Sequence, residues 1–318
     1  MTQGWNALWY VAPGQAELRA EAPRAAGPGE CLVRMLYSGI SRGTERLVLA
    51  GQVPPSQWPV MRAPLQQGEF PYPVKYGYSA VGELADGQRV FCLHPHQDHF
   101  LAPAAMCVPL PAALPSRRAV LAANMETAVN ILWDAAPLVG ERVLVVGAGV
   151  VGLLSAWLLA RVAGVEVVVC DLDASRAALV ASFGARFCLP AEAPGERDLV
   201  VHASASQAGL LLALERCGFE GRVVEASWYG DKPVSLPLGE GFHARRLKLL
   251  STQVGAIAPA MRGRRTHAQR LSLALSLLDD ARLDALLGPD VPFATLPAAL
   301  PALLAPEAPG LCPVVSYI

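Results

Sequence analysis

Apolar residues in this 318-residue chain come first in short runs and later in longer blocks. Residues 5 to 12 (WNALWYVA) and 30 to 38 (ECLVRMLYS) predict strands on either side of a Pro/Gly/Ala-rich connection. Residues 39 to 45 (GISRGTE) predict a turn leading into a short helix. Residues 52 to 73 form an irregular Pro-rich loop, long enough to suggest function and not only connection. Residues 73 to 83 and 87 to 93 predict short strands with glycine bends, as in a small twisted barrel. Helices are expected near Ser116 and Glu126.

From residue 143 the pattern changes. Val143 to Val146 is a buried-strand run, Gly147-Ala148-Gly149-Val150-Val151-Gly152 is a sharp turn, and residues 153 to 163 have a helical period. A second apolar strand, residues 165 to 170, ends on Asp171. This is a βαβ unit with G-x-G-x-x-G at the strand-to-helix turn. Gly147 permits the turn, Gly149 admits a pyrophosphate to the backbone, and Gly152 lets helix and strand pack closely. With Val150 and Val151 the loop opens a helix whose N-terminal amides favour phosphate. Asp171 lies nineteen residues past Gly152, where a carboxylate can accept from the adenosine ribose hydroxyls. Residues 174 to 183, 198 to 202, 206 to 217, 221 to 225 and 245 to 255 continue the alternation of helix and strand. An amphipathic helix is expected over 267 to 278, and the last forty residues return to short strands. The order is a small β domain, a dinucleotide domain, and a C-terminal piece completing the first.

Residues 143 to 160 hold eighteen residues without a charge, the length of a membrane span. The three glycines, and a buried parallel strand running into a helix, account for the same hydropathy. The N-terminus lacks the build of a signal peptide, so a cytoplasmic protein with no membrane partner is expected. Net charge is −1 with 53% hydrophobic and 17% charged residues, which excludes a field that recruits nucleic acid. Seven scattered cysteines, never spaced C-x-x-C, suit a reducing compartment and argue against a cysteine-built structural zinc.

The turn GISRGTE, the strands PVKYGYSAVGEL and GQRVF, the loop VLVVGAGVVG and the C-terminal helix followed by VSYI together resemble the medium-chain dehydrogenase/reductase superfamily. Within it the chain is similar to the hydroxyethyl bacteriochlorophyllide dehydrogenase branch. The resemblance implies an α/β fold: a GroES-like β-barrel catalytic domain (1–125 and 262–318) plus a doubly wound Rossmann domain (126–261), with dimers usual. It also implies that Arg42 reaches the cofactor pyrophosphate; a surface ion pair is the plainer role. Arg176 falls near the adenine ribose. Asp171 favours NAD(H) over NADP(H).

Zinc members place a Cys, a His and a Cys or Glu around the catalytic ion. Here those positions hold Ser41, Tyr78 and Glu126, so the resemblance implies a member without zinc. His94, His96 and His99 with Asp98 could hold a metal of their own, but Pro95 breaks the strand and a polar surface loop is the expected reading. His94 matches a substrate-pocket aromatic of the family, where an imidazole would titrate near neutral pH. Tyr78, His94, Lys75, Thr44 and Glu126 are thus the candidates to donate or relay a proton without a Lewis acid. Tyr78 is equally a packed barrel aromatic, Lys75 a solvated strand residue, and Glu126 the partner of a basic residue or a helix cap. The expected function is interconversion of a secondary alcohol and a ketone. Reduction of an activated C=C bond or quinone, and a non-catalytic dinucleotide-binding redox sensor, are the alternatives.

Overall fold

The computed structural model describes residues 4–305 and 307–318. The chain divides into two compact units, Met1–Ala123 with Leu271–Ile318, and Asn124–Arg270.

The first unit is built of antiparallel strands. Trp5–Ala12 pairs with Gln15–Glu21 through a hairpin and joins a four-stranded sheet. A second, seven-stranded sheet centres on Glu30–Gly39, which pairs with Ala80–Glu83 and His99–Pro103. Alternate residues of the central strand, Val33 and Met35, face inward onto Val90, Cys92 and Phe100, the period-two burial that pleated strands impose. The C-terminal strand Cys312–Ser316 pairs antiparallel with Glu30–Gly39, Val315 opposite Ser38. The tail of the chain therefore completes the sheet begun by its head.

The second unit is an open parallel sheet of six strands. Arg142–Val146 lies between Glu166–Cys170 and Arg197–His202, with Arg186–Cys188 outside the one and Cys217–Glu225 and Lys248–Ser251 outside the other. Numbered by sequence the spatial order is 3-2-1-4-5-6, the doubly wound dinucleotide-binding order, in which all strands stay parallel and the order of connection reverses between the first and fourth strands. Val143, Leu144 and Val145 are fully buried, as are Leu153, Leu154 and Leu159 of the helix Val150–Leu159. Burial of both strand and helix explains the uncharged run of eighteen residues. Among the described residues no helix is long and apolar enough to cross a membrane.

The second unit extends past the expected residue 261. Arg270, fully buried, donates to Glu126 (3.0 Å), to the Asn130 side-chain oxygen (2.6 Å) and to the Val254 carbonyl (2.5 Å). These bonds hold the start of the helix His267–Leu277 to this unit.

Candidate functional site

The glycine turn has the geometry its sequence calls for. Gly147 sits at φ +110° and a β-carbon there would come within 2.9 Å of the Ala203 and Ser204 backbone. Residue 147 thus lies where the end of the first strand meets the turn after the fourth, the reversal point at which α/β sheets hold ligands. Gly152 packs against the Gly147 carbonyl so tightly that a β-carbon would stand 2.0 Å from the oxygen. Gly149, the N-cap, has nothing within 4 Å of its β-carbon position and makes no side-chain cap. The first turn of Val150–Leu159 is therefore open to a ligand from that side, and its amides and dipole suit a pyrophosphate. The residues present fit a dinucleotide.

Asp171 follows the second strand. Its carboxylate accepts from the amides of Ala148 (2.5 Å) and Asp173 (2.9 Å), which ties the acid to the glycine turn. Arg176 pairs with Asp173 at 3.1 Å.

In the first unit, Tyr78 is partly exposed and its hydroxyl is hydrogen-bonded with the side chains of Ser41 and Thr44. Burial pushes the phenol up to about 12 against the opposing pull of those two hydroxyls, so it keeps its proton. The residues at the family's first two zinc positions thus meet as a hydroxyl and a protonated phenol. Neither is a good zinc donor beside thiolate and imidazole. Glu126, at the third position, is paired with Arg270; burial raises its pKa and Arg270 opposes that only in part.

Three expectations are corrected here. The stretch from His94 to Asp98 is no surface loop: His94, His96 and Gln97 are buried. His94 does not titrate near neutrality, because burial pushes it down to about 3. Its ring stacks on Phe100 at 3.7 Å and its Nδ1 donates to the Pro95 carbonyl at 2.8 Å, the tautomer being set by that carbonyl. Lys75 is not a solvated strand residue. Fully buried, it donates to Glu21 (2.8 Å) and Gln97 (2.9 Å). Burial lowers its pKa against the pull of Glu21. Arg42 donates to the carbonyls of Gly310 and Ala305, both at 2.9 Å, within its own unit.

Two clusters escaped the sequence reading. In the first unit the fully buried residues Ser38, His96 and Glu45 form a chain: Ser38 Oγ to His96 Nδ1 is 2.7 Å and His96 Nε2 to Glu45 is 3.0 Å. Glu45 also accepts from Tyr10 (2.8 Å) and from the Ser41 amide (2.7 Å), which links this chain to the turn bearing Tyr78's partners. In the second unit His202 and Glu225 end neighbouring parallel strands in register and meet at 2.8 Å. The only signal was an ionisable residue closing each of two apolar strands.

No family model matches the chain. In sequence it is similar to 2-desacetyl-2-hydroxyethyl bacteriochlorophyllide A dehydrogenase from two organisms. With the Cereibacter sphaeroides protein it is 31% identical over 175 residues, covering 47% of this chain and 51% of that one. With the Rhodobacter capsulatus protein it is 37% identical over 81 residues, covering 26% and 22%. The matched region thus spans about half the length of these relatives at most. In structure the likeness covers the whole chain. A Sinorhizobium meliloti protein bound to NADP aligns with TM-score 0.78 and 17% identity over 99% of this chain and 100% of that one. An Escherichia coli alcohol dehydrogenase complexed with NADH aligns with TM-score 0.79 and 16% identity over 99% and 100%. At these identities the likeness shows the fold, that of the medium-chain dehydrogenases, with a GroES-like and a Rossmann domain.

Proposed function

We propose that this chain, with the fold of the medium-chain dehydrogenases and a sequence similar to bacteriochlorophyllide dehydrogenase, is an oxidoreductase that uses a nicotinamide dinucleotide to interconvert a secondary alcohol and a ketone without zinc. The observation that carries the reading is the glycine turn: two glycines fill backbone contacts and the third leaves the helix N-terminus open. The name of these relatives supports this class of chemistry, since a hydroxyethyl and an acetyl group differ by one hydride and one proton. When bound, the nicotinamide ring supplies or accepts the hydride.

This chain's residues do the rest. The first-turn amides of Val150–Leu159 hold the pyrophosphate, with Gly149 giving access to the backbone. The Asp171 carboxylate accepts from the ribose hydroxyls and repels a 2′-phosphate, which favours NAD(H). Tyr78 replaces His94 as the first candidate for the substrate proton. Its hydroxyl is protonated and oriented by Ser41 and Thr44 on a residue that is partly exposed, whereas burial keeps His94 neutral with Nδ1 committed to a carbonyl. A protonated phenol can hydrogen-bond a developing alkoxide without a metal.

The test is to titrate the purified chain with NADH and NADPH, assay metal content after dialysis, and follow NADH oxidation against ketone and enone panels. Tighter NADH binding, less than about 0.1 zinc per chain and turnover of ketones alone support the reading. About one zinc per chain, or turnover confined to enones, overturns it. Tight NADH binding with no turnover identifies a dinucleotide sensor instead.

A further inference from the structure

A second constellation, beside the glycine turn but with a chemistry of its own, lies wholly within the dinucleotide-binding unit. We propose that Ser204, His202 and Glu225 form a nucleophile, base and acid that hydrolyse small activated esters.

The geometry comes from the parallel sheet. Arg197–His202 and Cys217–Glu225 end in register, so His202 and Glu225 close their strands side by side. The His202 ring is fully buried, and its Nδ1 lies 2.8 and 2.9 Å from the two Glu225 oxygens. Two residues on, Ser204 is exposed, with its Oγ 2.7 Å from His202 Nε2. A hydroxyl on an exposed residue, a buried imidazole and a shielded carboxylate in one hydrogen-bonded line are the nucleophile, base and orienting acid of serine-based acyl transfer.

The protonation states suit the roles. Glu225 also accepts from the Ser227 amide (2.7 Å) and the Tyr229 hydroxyl (3.0 Å). Burial raises its pKa, but the His202 and Ser227 donors outweigh burial and hold the carboxyl below its usual value. With an ionised Glu225 the imidazole carries its proton on Nδ1, which leaves the Nε2 lone pair to accept from Ser204.

Two features of the backbone support a functional site over a structural brace. Ala205, next to Ser204, sits at φ +50°, a left-handed conformation that is strained for a residue with a β-carbon and that clusters at active sites. The segment is strand, tight turn, then the helix Gln207–Arg216, the setting that presents a nucleophilic serine at the edge of an α/β sheet. Gly209 in that helix leaves room for the pair: a β-carbon there would stand 2.3 Å from Ser204 Oγ and 2.8 Å from His202 Nε2.

The reaction balances without a further reagent. Ser204 Oγ bonds to the ester carbonyl carbon as His202 Nε2 takes the hydroxyl proton. The carbon–oxygen bond to the alcohol breaks, and His202 hands that proton to the departing oxygen. Water then adds to the acyl-serine, giving a proton to His202, and the acid leaves as Ser204 regains its hydroxyl.

The test uses the full chain without dinucleotide. A fluorophosphonate probe followed by peptide mass spectrometry should give one adduct per chain, on Ser204. p-Nitrophenyl acetate hydrolysis should fall at least about 100-fold in Ser204→Ala and His202→Gln, and at least about tenfold in Glu225→Gln. Labelling of the unsubstituted chain needs no variant to fold, and Ser204→Ala alters only an exposed side chain. No adduct on Ser204, or hydrolysis that survives Ser204→Ala, overturns the proposal and leaves the cluster a hydrogen-bonded brace, with Ser206 Oγ at 2.9 Å from Ser204 as a further member.

Discussion

Gly152 stands against the carbonyl oxygen of Gly147, and a β-carbon at 152 would lie 2.0 Å from it. The contact is backbone on backbone, so no side chain can rotate away to relieve it. Gly152→Ala is therefore expected to displace the helix Val150–Leu159, lowering stability by about 1–3 kcal/mol and weakening NADH binding together. Denaturant midpoints and a fluorescence titration check both; an unaltered midpoint would contradict the packing argument.

Gly149 should behave in the opposite way. Its φ is −74° and no atom lies within 4 Å of the β-carbon position. Gly149→Ala is expected to keep its stability within about 0.5 kcal/mol and to bind NADH at least about tenfold more weakly, a loss of ~1.4 kcal/mol. Unchanged NADH affinity would mean that phosphate does not approach the backbone here.

Asp171 sets the choice of cofactor in the proposed reading. Asp171→Asn keeps one oxygen, which can accept from Ala148 or from Asp173 but not from both, and removes the charge that repels a 2′-phosphate. The ratio of NADPH to NADH dissociation constants is expected to fall at least about tenfold. If it stays constant, discrimination lies elsewhere, with Arg176 the next residue to change.

His94 makes the fold sensitive to acid. Burial lowers its pKa to about 3 in the folded chain, whereas an unfolded imidazole titrates near ~6.5. Between those values only the unfolded chain takes up the proton. The contribution to stability is complete above about pH 6.5 and is lost progressively as pH falls towards 3. At pH 5 about 2 kcal/mol is lost. His94→Asn should lose less stability than the parent between pH 7.5 and pH 5 by about that amount, as read from chemical denaturation at each pH. Parallel losses in the two proteins would show that His94 does not carry the effect.

Tyr78→Phe removes the hydroxyl held by Ser41 and Thr44. Hydride transfer to a ketone is expected to slow about 100-fold with NADH affinity unchanged. Because the phenol lies at about 12, Tyr78 should give the parent no alkaline limb below about pH 10. A variant that keeps the parent's rate would make Tyr78 a packed aromatic only.

The parts of the site legible in the sequence are those whose geometry is local. Gly147, Gly149 and Gly152 form a turn and a helix start within six residues, and each glycine's role depends on backbone sterics that the next few residues impose. Two buried strands and a buried helix likewise follow from unbroken apolar runs such as Val143–Val146, which water alone selects against exposing.

The histidines show the limit. His94 and His96 look like a polar loop because proline and charged neighbours surround them, yet both are buried. What buries His96 is Ser38 from one strand and Glu45 from a helix, 58 and 51 residues away. A polar side chain can be taken out of water only where partners from other segments replace its hydrogen bonds, and their arrival is a matter of chain return. The same reason hid Lys75 with Glu21 and Gln97 and His202 with Glu225, and left unnamed the basic partner expected for Glu126, which is Arg270. The sequence alone determined the glycine turn, its acid and the alternation of helix and strand around them, because those rest on neighbours along the chain, but it missed the strands Gln15–Glu21 and Arg186–Cys188 and the helix Leu296–Leu304. Which ionisable groups are buried, paired or left to act was decided only in three dimensions, because desolvation is offset by partners that the chain brings back from a distance.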